Sequence, residues 1–503
     1  MTIPPLTEAV ADRVPWALPE RWSDAWGYPS PFLRRQLSEL RSAYEELAVG
    51  IELRDESSVF AELVAPGDNV QAPVHRWFSY KEAFSYRLPR ELLGSFGAGQ
   101  TRTVADVFGG VATTAIALQC DPRVDRVLSV EYSPLAHLVG EVKLRWPELC
   151  PKRLRRRAEE LGRYRIGKSV EVPLLAAFAN PEIFDPRVLK SMLSARKAVR
   201  AARLSSLERA FFLVGLAAIV EDLSGAMKDG RALRILRGRK RRQTCLAALG
   251  DAPRNGDVVR YALTAQWSAM IADLEQLAVL RSGRRAAAAH LRGDARGLGA
   301  LRLDAGQAAF PAASVGLFAY SPPYLNCIDY SEIYKLELWM LELIRDQTQF
   351  RGLRLGTLRS HPSVEFPARG YLAPIAQTEV AEQIERLACF VERHHARRGV
   401  GRVVRDYFDD MFKVLQEQLR ALEPGGFAVC VVGNSTFSRR EKRSQAREEL
   451  WRLPILTDLL LARLGKAAGF AHAEIWKARD LRPRNVRAAS ARESLVVLRR
   501  GPA

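Results

Sequence analysis

The chain has 503 residues, with 76 lysines and arginines against 57 aspartates and glutamates, and a formal charge of +19. Its hydrophobic content of 48% is typical of a globular protein and excludes wholesale disorder. The longest apolar run, residues 210–220, is too short to cross a bilayer, and the first residues lack a signal-peptide pattern. Six cysteines without a CxxC pair argue against a disulfide framework and a metal cluster. We therefore expect a soluble, cytoplasmic protein with no metal and no membrane partner.

The excess of positive charge, with an isoelectric point near 9.9, favours a polyanionic partner. Three basic runs lie between residues 152 and 285. A single run is as often a solvated helix face, but three in one stretch favour a phosphate-facing surface. The candidate nucleic-acid contacts are Arg155, Arg156, Arg239, Lys240, Arg241 and Arg242. Such contacts position a protein on nucleic acid without reading its sequence.

Patterns of hydrophobicity divide the chain into four regions, and the first three cover residues 1–290. Residues 1–66 contain one helical pattern, over 33–47, and indicate no particular role. Residues 67–150 predict one βαβ unit: a helix over 84–93, a strand over 103–107, a helix over 113–119 and a strand over 126–130. Residues 151–290 are rich in alanine, leucine and arginine and are predicted to be almost entirely helical.

The α/β pattern returns in the fourth region, residues 291–503. The predicted strands cover 301–303, 315–320, 427–432 and 494–498, and the predicted helices cover 331–346, 403–422 and 456–468. The two α/β stretches together predict one doubly wound α/β domain. The basic helical stretch between them is then an inserted domain.

A turn rich in small residues follows the predicted strand over 103–107. Its chemistry-bearing residues are Asp106, Phe108, Gly109, Gly110, Thr113 and Thr114. Glycines let the backbone approach a ligand closely, and the N-terminus of the next helix favours an electronegative group. Glu131 ends the following strand, where a carboxylate can bind both hydroxyls of a ribose. Together these features predict an adenosine-containing cofactor, with a plain tight turn as the alternative.

A second motif, Ser321-Pro322-Pro323-Tyr324, follows the apolar strand over 315–320. It therefore lies at the carboxyl end of a strand, where open α/β sheets bind ligands. Two prolines fix the backbone and leave a carbonyl without competing N–H groups. That carbonyl and a side-chain oxygen can accept both hydrogens of an exocyclic amino group, while the tyrosine stacks on a flipped base. The alternative is a proline-rich loop with a buried tyrosine.

Together the two motifs resemble those of the amino-group DNA methyltransferases that use S-adenosyl-L-methionine. The cofactor motif of that family runs Asp-Pro-Phe-x-Gly-x-Gly-Thr-Thr, and its positions are filled here by Asp106, Phe108, Gly110, Thr113 and Thr114. Two positions depart from it: Val107 replaces the proline and Ala112 replaces the last glycine. We expect the Cβ atom of Ala112 to lie near the cofactor, and we expect binding to survive because alanine is small.

The resemblance implies a Rossmann-like methyltransferase sheet, S-adenosyl-L-methionine as cofactor and double-stranded DNA as substrate. It implies that residues 151–290 form the target-recognition region. Catalysis would fall to Ser321, Pro322, Pro323 and Tyr324. The implied cofactor contacts are Trp77, Phe78, Phe84, Asp106, Phe108, Gly109, Gly110, Thr113, Thr114, Glu131, Asp294 and Ala295.

The resemblance leaves the target base and the biological setting open. Serine at the first catalytic position is more typical of cytosine N4 methylation, so we favour cytosine over adenine N6. Two alternatives remain: an RNA base-amine methyltransferase, and a non-catalytic nucleic-acid-binding relic with a weakened cofactor site. A restriction or phage-defence partner fits the resemblance as well.

Overall fold

The structure is a computed structural model. It describes residues 31–167, 172, 183–228, 233–236, 258–326, 328–443, 446–481 and 491–502. Within this part of the chain, no helix is both long enough and apolar enough to span a bilayer.

Twelve strands are described. They are β1 (Glu52–Asp55), β2 (Thr103–Asp106), β3 (Arg126–Glu131), β4 (Ala226–Lys228), β5 (Leu233–Ile235), β6 (Ala287–Arg292), β7 (Val315–Tyr320), β8 (Leu422–Gly433), β9 (Ser435–Arg443), β10 (Ala446–Ile455), β11 (His472–Leu481) and β12 (Ala491–Arg499). Eight of them form the central sheet, in the order β1-β11-β12-β8-β7-β2-β3-β6. The pairs β4–β5 and β9–β10 form two separate hairpins.

The helices lie between and around these strands. They are α1 (Pro31–Ala48), α2 (Ser57–Phe60), α3 (Leu88–Phe96), α4 (Thr113–Leu118), α5 (Pro134–Leu144), α6 (Pro151–Leu161), α7 (Pro186–Ala201), α8 (Ser206–Ala218), α9 (Val258–Gln276), α10 (Tyr330–Ile333), α11 (Lys335–Met340), α12 (Gln347–Gly356), α13 (Glu379–His394), α14 (Val400–Ala421) and α15 (Thr457–Ala468).

The central sheet is doubly wound, as the sequence predicts. Strands β6, β3, β2, β7 and β8 are parallel, and β12 runs antiparallel to its neighbours β8 and β11. From β2 the chain progresses outward through β3 to β6, and from β7 it progresses outward in the opposite direction through β8. The order of strands therefore reverses between β2 and β7. Ligands of such sheets bind outside the carboxyl ends of the strands at this reversal.

Both faces of the sheet are buried, which explains the continuous apolar sequence of β7. Leu317 and Ala319 belong to the apolar cluster on one face, and Phe318 and Tyr320 to the cluster on the other face. The second face is covered by α13, α14 and α15. Helix α14 contributes an apolar stripe that includes Tyr407 and Met411, both fully buried.

The inserted region follows α5 and contains helices α6 to α9 and the β4–β5 hairpin. It has its own apolar core, in which Phe211, Phe212 and Trp267 pack edge to face. The same core takes in residues of α5 and α11, so the insertion is packed against the α/β domain. A buried ion pair between Lys228 of β4 and Glu337 of α11 joins the two parts.

Several elements differ from the sequence predictions. The predicted strand over 301–303 is wrong, since Arg302 makes only an isolated bridge to Ala308. The predicted helix over 331–346 is divided into α10 and α11 and ends at Met340, and Glu342 has a left-handed backbone with φ of 55°. Residues 287–290, the end of the region predicted to be almost entirely helical, belong instead to the edge strand β6. Its partner β3 supplies backbone hydrogen bonds that outweigh the helical propensity of four consecutive alanines.

Candidate active site

A cavity of about 320 Å³ lies at the carboxyl ends of the central strands, at the reversal between β2 and β7. It is bounded by the turn after β2, the end of β3, the segment after β6 and the turn after β7. Of the residues predicted from the sequence, those that line it are Phe84, Phe108, Gly110, Glu131, Asp294, Ala295, Ser321, Pro322, Pro323 and Tyr324. One cavity therefore brings together both sequence motifs.

Asp106 lies behind the cavity wall and holds the turn after β2 in shape. Its Oδ1 accepts a hydrogen bond from the backbone N of Phe108 at 3.0 Å, and its Oδ2 accepts one from Thr114 Oγ1 at 2.6 Å. The carboxyl group is buried, and burial raises its pKa to about 6. Asp106 and Thr114 thus stabilise the turn by hydrogen bonds, and neither is among the residues that line the cavity.

Two glycines of this turn occupy places where a side chain would not fit. A Cβ atom on Gly109 would overlap the hydroxyl of Ser129 on β3. Gly110 has φ of 52°, and a Cβ atom there would lie 3.1 Å from the ring of Tyr80. Gly110 therefore brings bare backbone to the cavity surface, while Gly109 lets the turn pack against β3.

Ala112 stands where the cofactor motif has glycine, and its backbone has the left-handed conformation that glycine adopts readily, with φ of 64°. Its side chain is fully buried and packs toward α5, where Gly140 leaves room for it. Ala112 does not line the cavity. We expected its Cβ atom to lie near the cofactor; the structure places the methyl group in the core, away from the residues that line this cavity.

Glu131 closes the same half of the cavity from the end of β3. Its Oε2 accepts a hydrogen bond from the backbone N of Gly110 at 2.9 Å, and its Oε1 accepts one from Ser133 N at 2.6 Å. Burial raises the pKa of this carboxyl group to about 7. A carboxylate at this position can accept hydrogen bonds from the hydroxyls of a bound ribose.

Asp294 and Ala295 line the cavity after β6. Asp294 Oδ2 accepts a hydrogen bond from Arg296 Nη2 at 2.7 Å, and Arg296 Nη1 donates to Asp410 Oδ2 at 2.7 Å. Arg296 and Asp410 are buried. The position of Asp294 is thus set by an ion-pair network that reaches into α14.

Of the predicted aromatic residues before β2, Phe84 lines the cavity, while Trp77 and Phe78 do not. Trp77 is buried in the core of the insertion, where its Nε1 donates to Asp273 Oδ2 at 3.0 Å. Phe78 is buried beside it, and neither lines the cavity. Tyr80 lines it instead, with its ring stacked on Tyr334 at 5.2 Å between centroids.

The turn after β7 forms the other half of the cavity. Ser321 Oγ donates a hydrogen bond to the backbone oxygen of Val431 on β8, at 3.0 Å. The lone pairs of that hydroxyl remain available as acceptors. The hydroxyl of Tyr324 donates to Glu493 Oε1 at 2.5 Å, and burial raises the pKa of Tyr324 well above its ordinary value. Tyr324 is therefore a neutral donor fixed at its far end.

Two charged residues of this half were not predicted as site residues. Glu493 on β12 and Arg479 on β11 line the cavity, and Arg479 Nε donates to Glu493 Oε2 at 2.6 Å. In the sequence, Glu493 stands just ahead of an apolar run, a pattern that indicates the start of a strand but not a site residue. Their proximity depends on how β11 and β12 pair.

The basic residues predicted to contact nucleic acid are described in part. Arg155 and Arg156 lie on the exposed face of α6, where Arg155 pairs with Glu275 at 2.6 Å and Arg156 with Glu160 at 3.2 Å. Positions 239–242 lie outside the described residues. Thr113, the remaining predicted cofactor contact, begins α4 and lines a neighbouring cavity, which shares Tyr80 and Lys81 with this one.

Comparisons with known proteins give relatives at low identity. No protein-family model matches the chain. Type II methyltransferase M.AvaI, from Nostoc sp. and from Anabaena variabilis, is 23% identical over 445 residues, which is 83% of this chain and 83% of the relative. Type II methyltransferase M.BsoBI from Geobacillus stearothermophilus is 24% identical over 77% of this chain and 79% of its own. Among solved structures, the rRNA methyltransferase aviRa from Streptomyces viridochromogenes covers 86% of this chain and 92% of its own, at 13% identity and a TM-score of 0.28.

Proposed function

We propose that this chain is a DNA methyltransferase that transfers a methyl group from S-adenosyl-L-methionine to an exocyclic amino group of a flipped base. The observation that carries the proposal is that one cavity is lined both by Gly110 and Glu131 and by Ser321 and Tyr324. The similarity to type II methyltransferases over most of the chain supports it. The name of these relatives, type II methyltransferase, also supports a restriction-modification setting for this chain. A cognate nuclease would then be its partner.

The cofactor half of the cavity suits an adenosine-containing group. Gly110 lines the cavity with backbone alone, since it has no side chain, and Glu131 offers a carboxylate beside it. Glu131 would hold the ribose and Asp294 the adenine amino group, while Phe108 lines the wall between them. The bound cofactor would supply an activated methyl group.

The other half would bind and orient the target amine. Ser321 Oγ gives its hydrogen to Val431 and keeps its lone pairs, so it can accept a hydrogen from the base. The carbonyl of Pro322 would accept the second hydrogen, and it has no N–H neighbour because Pro323 follows. Holding both hydrogens directs the nitrogen lone pair at the methyl group. Catalysis by this chain is then mostly positioning.

The target base that we favour is cytosine, modified at N4. The first residue of the catalytic turn is serine, whose hydroxyl donates to the backbone of β8 and would accept a hydrogen from the base. The ring of Tyr324 would stack on the flipped base. Its hydroxyl is fixed by Glu493, so the ring is held in place before the base arrives.

The test is nucleoside mass spectrometry of DNA and RNA from cells that express either the wild-type chain or Tyr324→Ala. We expect N4-methylcytosine in DNA with the wild type and none with the variant, while binding of S-adenosylhomocysteine stays within about twofold because Tyr324 lies in the base half. A methylated base found only in RNA would show that the substrate is RNA, and would contradict the proposal that it is DNA. No cofactor binding by the wild-type chain would contradict the proposal and favour a nucleic-acid-binding relic.

A further inference from the structure

Three neighbouring strands place a row of residues under the catalytic turn. In the pairing of β8, β12 and β11, Gly433 lies opposite Glu493, and Glu493 lies opposite Arg479. The row is at the carboxyl end of β8, beside the end of β7 from which Ser321 and Tyr324 emerge. The ring of Tyr324 lies directly on Gly433, where a Cβ atom would come within 2.9 Å of it.

A bulge gives Arg479 its place in this row. The pairing of β11 with β12 shifts register between Lys477 and Arg479, and Ala478 between them is buried in the core. Bulges of this kind commonly re-aim a side chain beside a binding site. Here the bulge brings Arg479 to the cavity wall, where Glu493 holds its Nε.

The guanidinium group has donors to spare. Glu493 is its one hydrogen-bond partner among the described residues, through Nε alone. The side chain is about one-third exposed (32%), and it faces the cavity that holds Ser321 and Tyr324. The two Nη groups of an arginine form a planar fork that matches two adjacent acceptors. A base held by its amino group at Ser321 would present its neighbouring ring edge to this half of the cavity.

We propose that Arg479, held by Glu493, binds the ring edge of the target base next to the reacting amine and selects cytosine over adenine. This inference rests on the proposed function. Beside its amino group, cytosine carries two adjacent acceptors, the ring nitrogen N3 and the oxygen O2. Adenine carries one acceptor, N1, followed by a C–H group. Adenine would therefore leave one donor of the fork without an acceptor in a partly buried site. A pocket built to pair both donors rejects such a base strongly.

The first experiment maps the methylated base in DNA from an otherwise unmethylated host that expresses the full-length chain. N4-methylcytosine is expected, and the surrounding sequence identifies the target site. N6-methyladenine as the product would overturn the inference and leave the proposed function standing. No mark in DNA and no binding of S-adenosylhomocysteine would overturn both.

The second experiment measures single-turnover rates on a duplex with that target site, carrying either cytosine or 3-deazacytosine, in which N3 is a C–H group. For the wild type, removing the acceptor should slow methylation by about tenfold or more, and Arg479→Met should slow it similarly on cytosine. On 3-deazacytosine the variant should lose little further, because the contact is already absent. Arg479→Lys keeps the charge without the fork, and we expect it to behave like Arg479→Met.

Binding of S-adenosylhomocysteine, measured by calorimetry, confirms that each variant is folded. The matched control is Arg386→Met, an exposed arginine of α13 outside the cavity, which should leave all rates unchanged. If Arg479→Met slows methylation of both bases by the same factor, Arg479 does not contact N3, and the inference is wrong.

Discussion

The carboxyl group of Glu131 links the electrostatics of the cavity to a measurable pH dependence. Burial raises its pKa to about 7, so in the free protein it is largely protonated below that pH. Accepting hydrogen bonds from a ribose requires the ionised form, and binding below pH 7 must therefore release a proton. We expect the affinity for S-adenosylhomocysteine to fall by up to about tenfold for each pH unit below 7 and to level off above it. Isothermal titration calorimetry across this range measures it.

Asp106, whose pKa burial raises to about 6, titrates close by, so a control must separate the two groups. Glu131→Gln removes the titrating group and keeps the shape of the side chain. We expect the variant to bind more weakly at pH 8 and to lose the dependence centred near pH 7. If the dependence persists unchanged in Glu131→Gln, the proton belongs to another group, and Glu131 does not bind the ribose.

Ala112 allows a second prediction at the scale of single residues. Its left-handed backbone costs about 1 kcal/mol relative to glycine. Its buried methyl group contributes about 0.8 kcal/mol, and glycine would add entropy to the unfolded chain. These effects oppose each other, so Ala112→Gly should change the free energy of unfolding by less than about 1 kcal/mol.

Ala112→Val should behave differently, because a β-branched residue is strained at positive φ and the site is fully buried. We expect a loss of about 2 kcal/mol or more, measured by urea denaturation of both variants beside the wild type. A valine variant as stable as the wild type would show that the turn is not left-handed at this position.

The motifs predicted which turns line the cavity, but not which of their side chains face it. The glycine turn and the Ser-Pro-Pro-Tyr turn lie in one cavity because both follow parallel strands at the reversal of the sheet. Asp106 belongs to the motif, yet it is buried as a support of the turn. Arg479 could not be found from the sequence, because its place depends on a bulge in β11 and on the register with β12.

At the scale of elements, a buried ion-pair network joins α14 to the cavity. Asp410, fully buried on α14, accepts hydrogen bonds from Arg296 at 2.7 Å, from Arg359 Nη2 at 2.9 Å and from Arg369 at 3.1 Å. Removing its charge would leave these arginines with less compensation in the interior. Asp410→Asn should therefore lower the free energy of unfolding by about 3 kcal/mol. Because Arg296 also holds Asp294, cofactor affinity should fall as well.

Equilibrium denaturation and calorimetry on the same samples measure the two effects. Glu365→Gln is the control, since its ion pair with Arg402 is exposed and should be worth less than about 1 kcal/mol. Equal stability of Asp410→Asn and Glu365→Gln would mean that the network adds nothing to the fold.

The elements that the sequence predicts well are those with an unambiguous period or run of apolar residues. The buried strand β7 has the predicted bounds, and α14 differs from its prediction by a few residues at its start. Strand β6 was missed because its alanines favour a helix in isolation, and its strand conformation depends on pairing with β3. The helix predicted over 331–346 ends early, at Met340, and Leu341 and Ile344 after it pack in the core of the insertion.

At the scale of the whole molecule, the formal charge of +19 predicts binding to DNA that weakens steeply with salt. In the free protein the arginines of α6 are paired with carboxylates, yet their side chains stay exposed, at 52% for Arg155 and 72% for Arg156. Phosphate groups can replace such exposed partners at little cost, since surface ion pairs are weak. We therefore propose that this face of α6 contacts the DNA backbone.

Each phosphate contact that is lost should reduce the slope of log Kd against log salt by about 0.9. Arg155→Ala/Arg156→Ala should thus lower the slope by about 1.8 if both residues contact phosphates, in anisotropy titrations with a duplex of arbitrary sequence. Arg386→Ala/Arg402→Ala, which removes two arginines from α13 and α14, is matched in charge and should leave the slope unchanged. Equal slopes for both double variants would identify the α6 face as solvated helix surface, and the phosphate contacts would then belong to other basic residues of the chain.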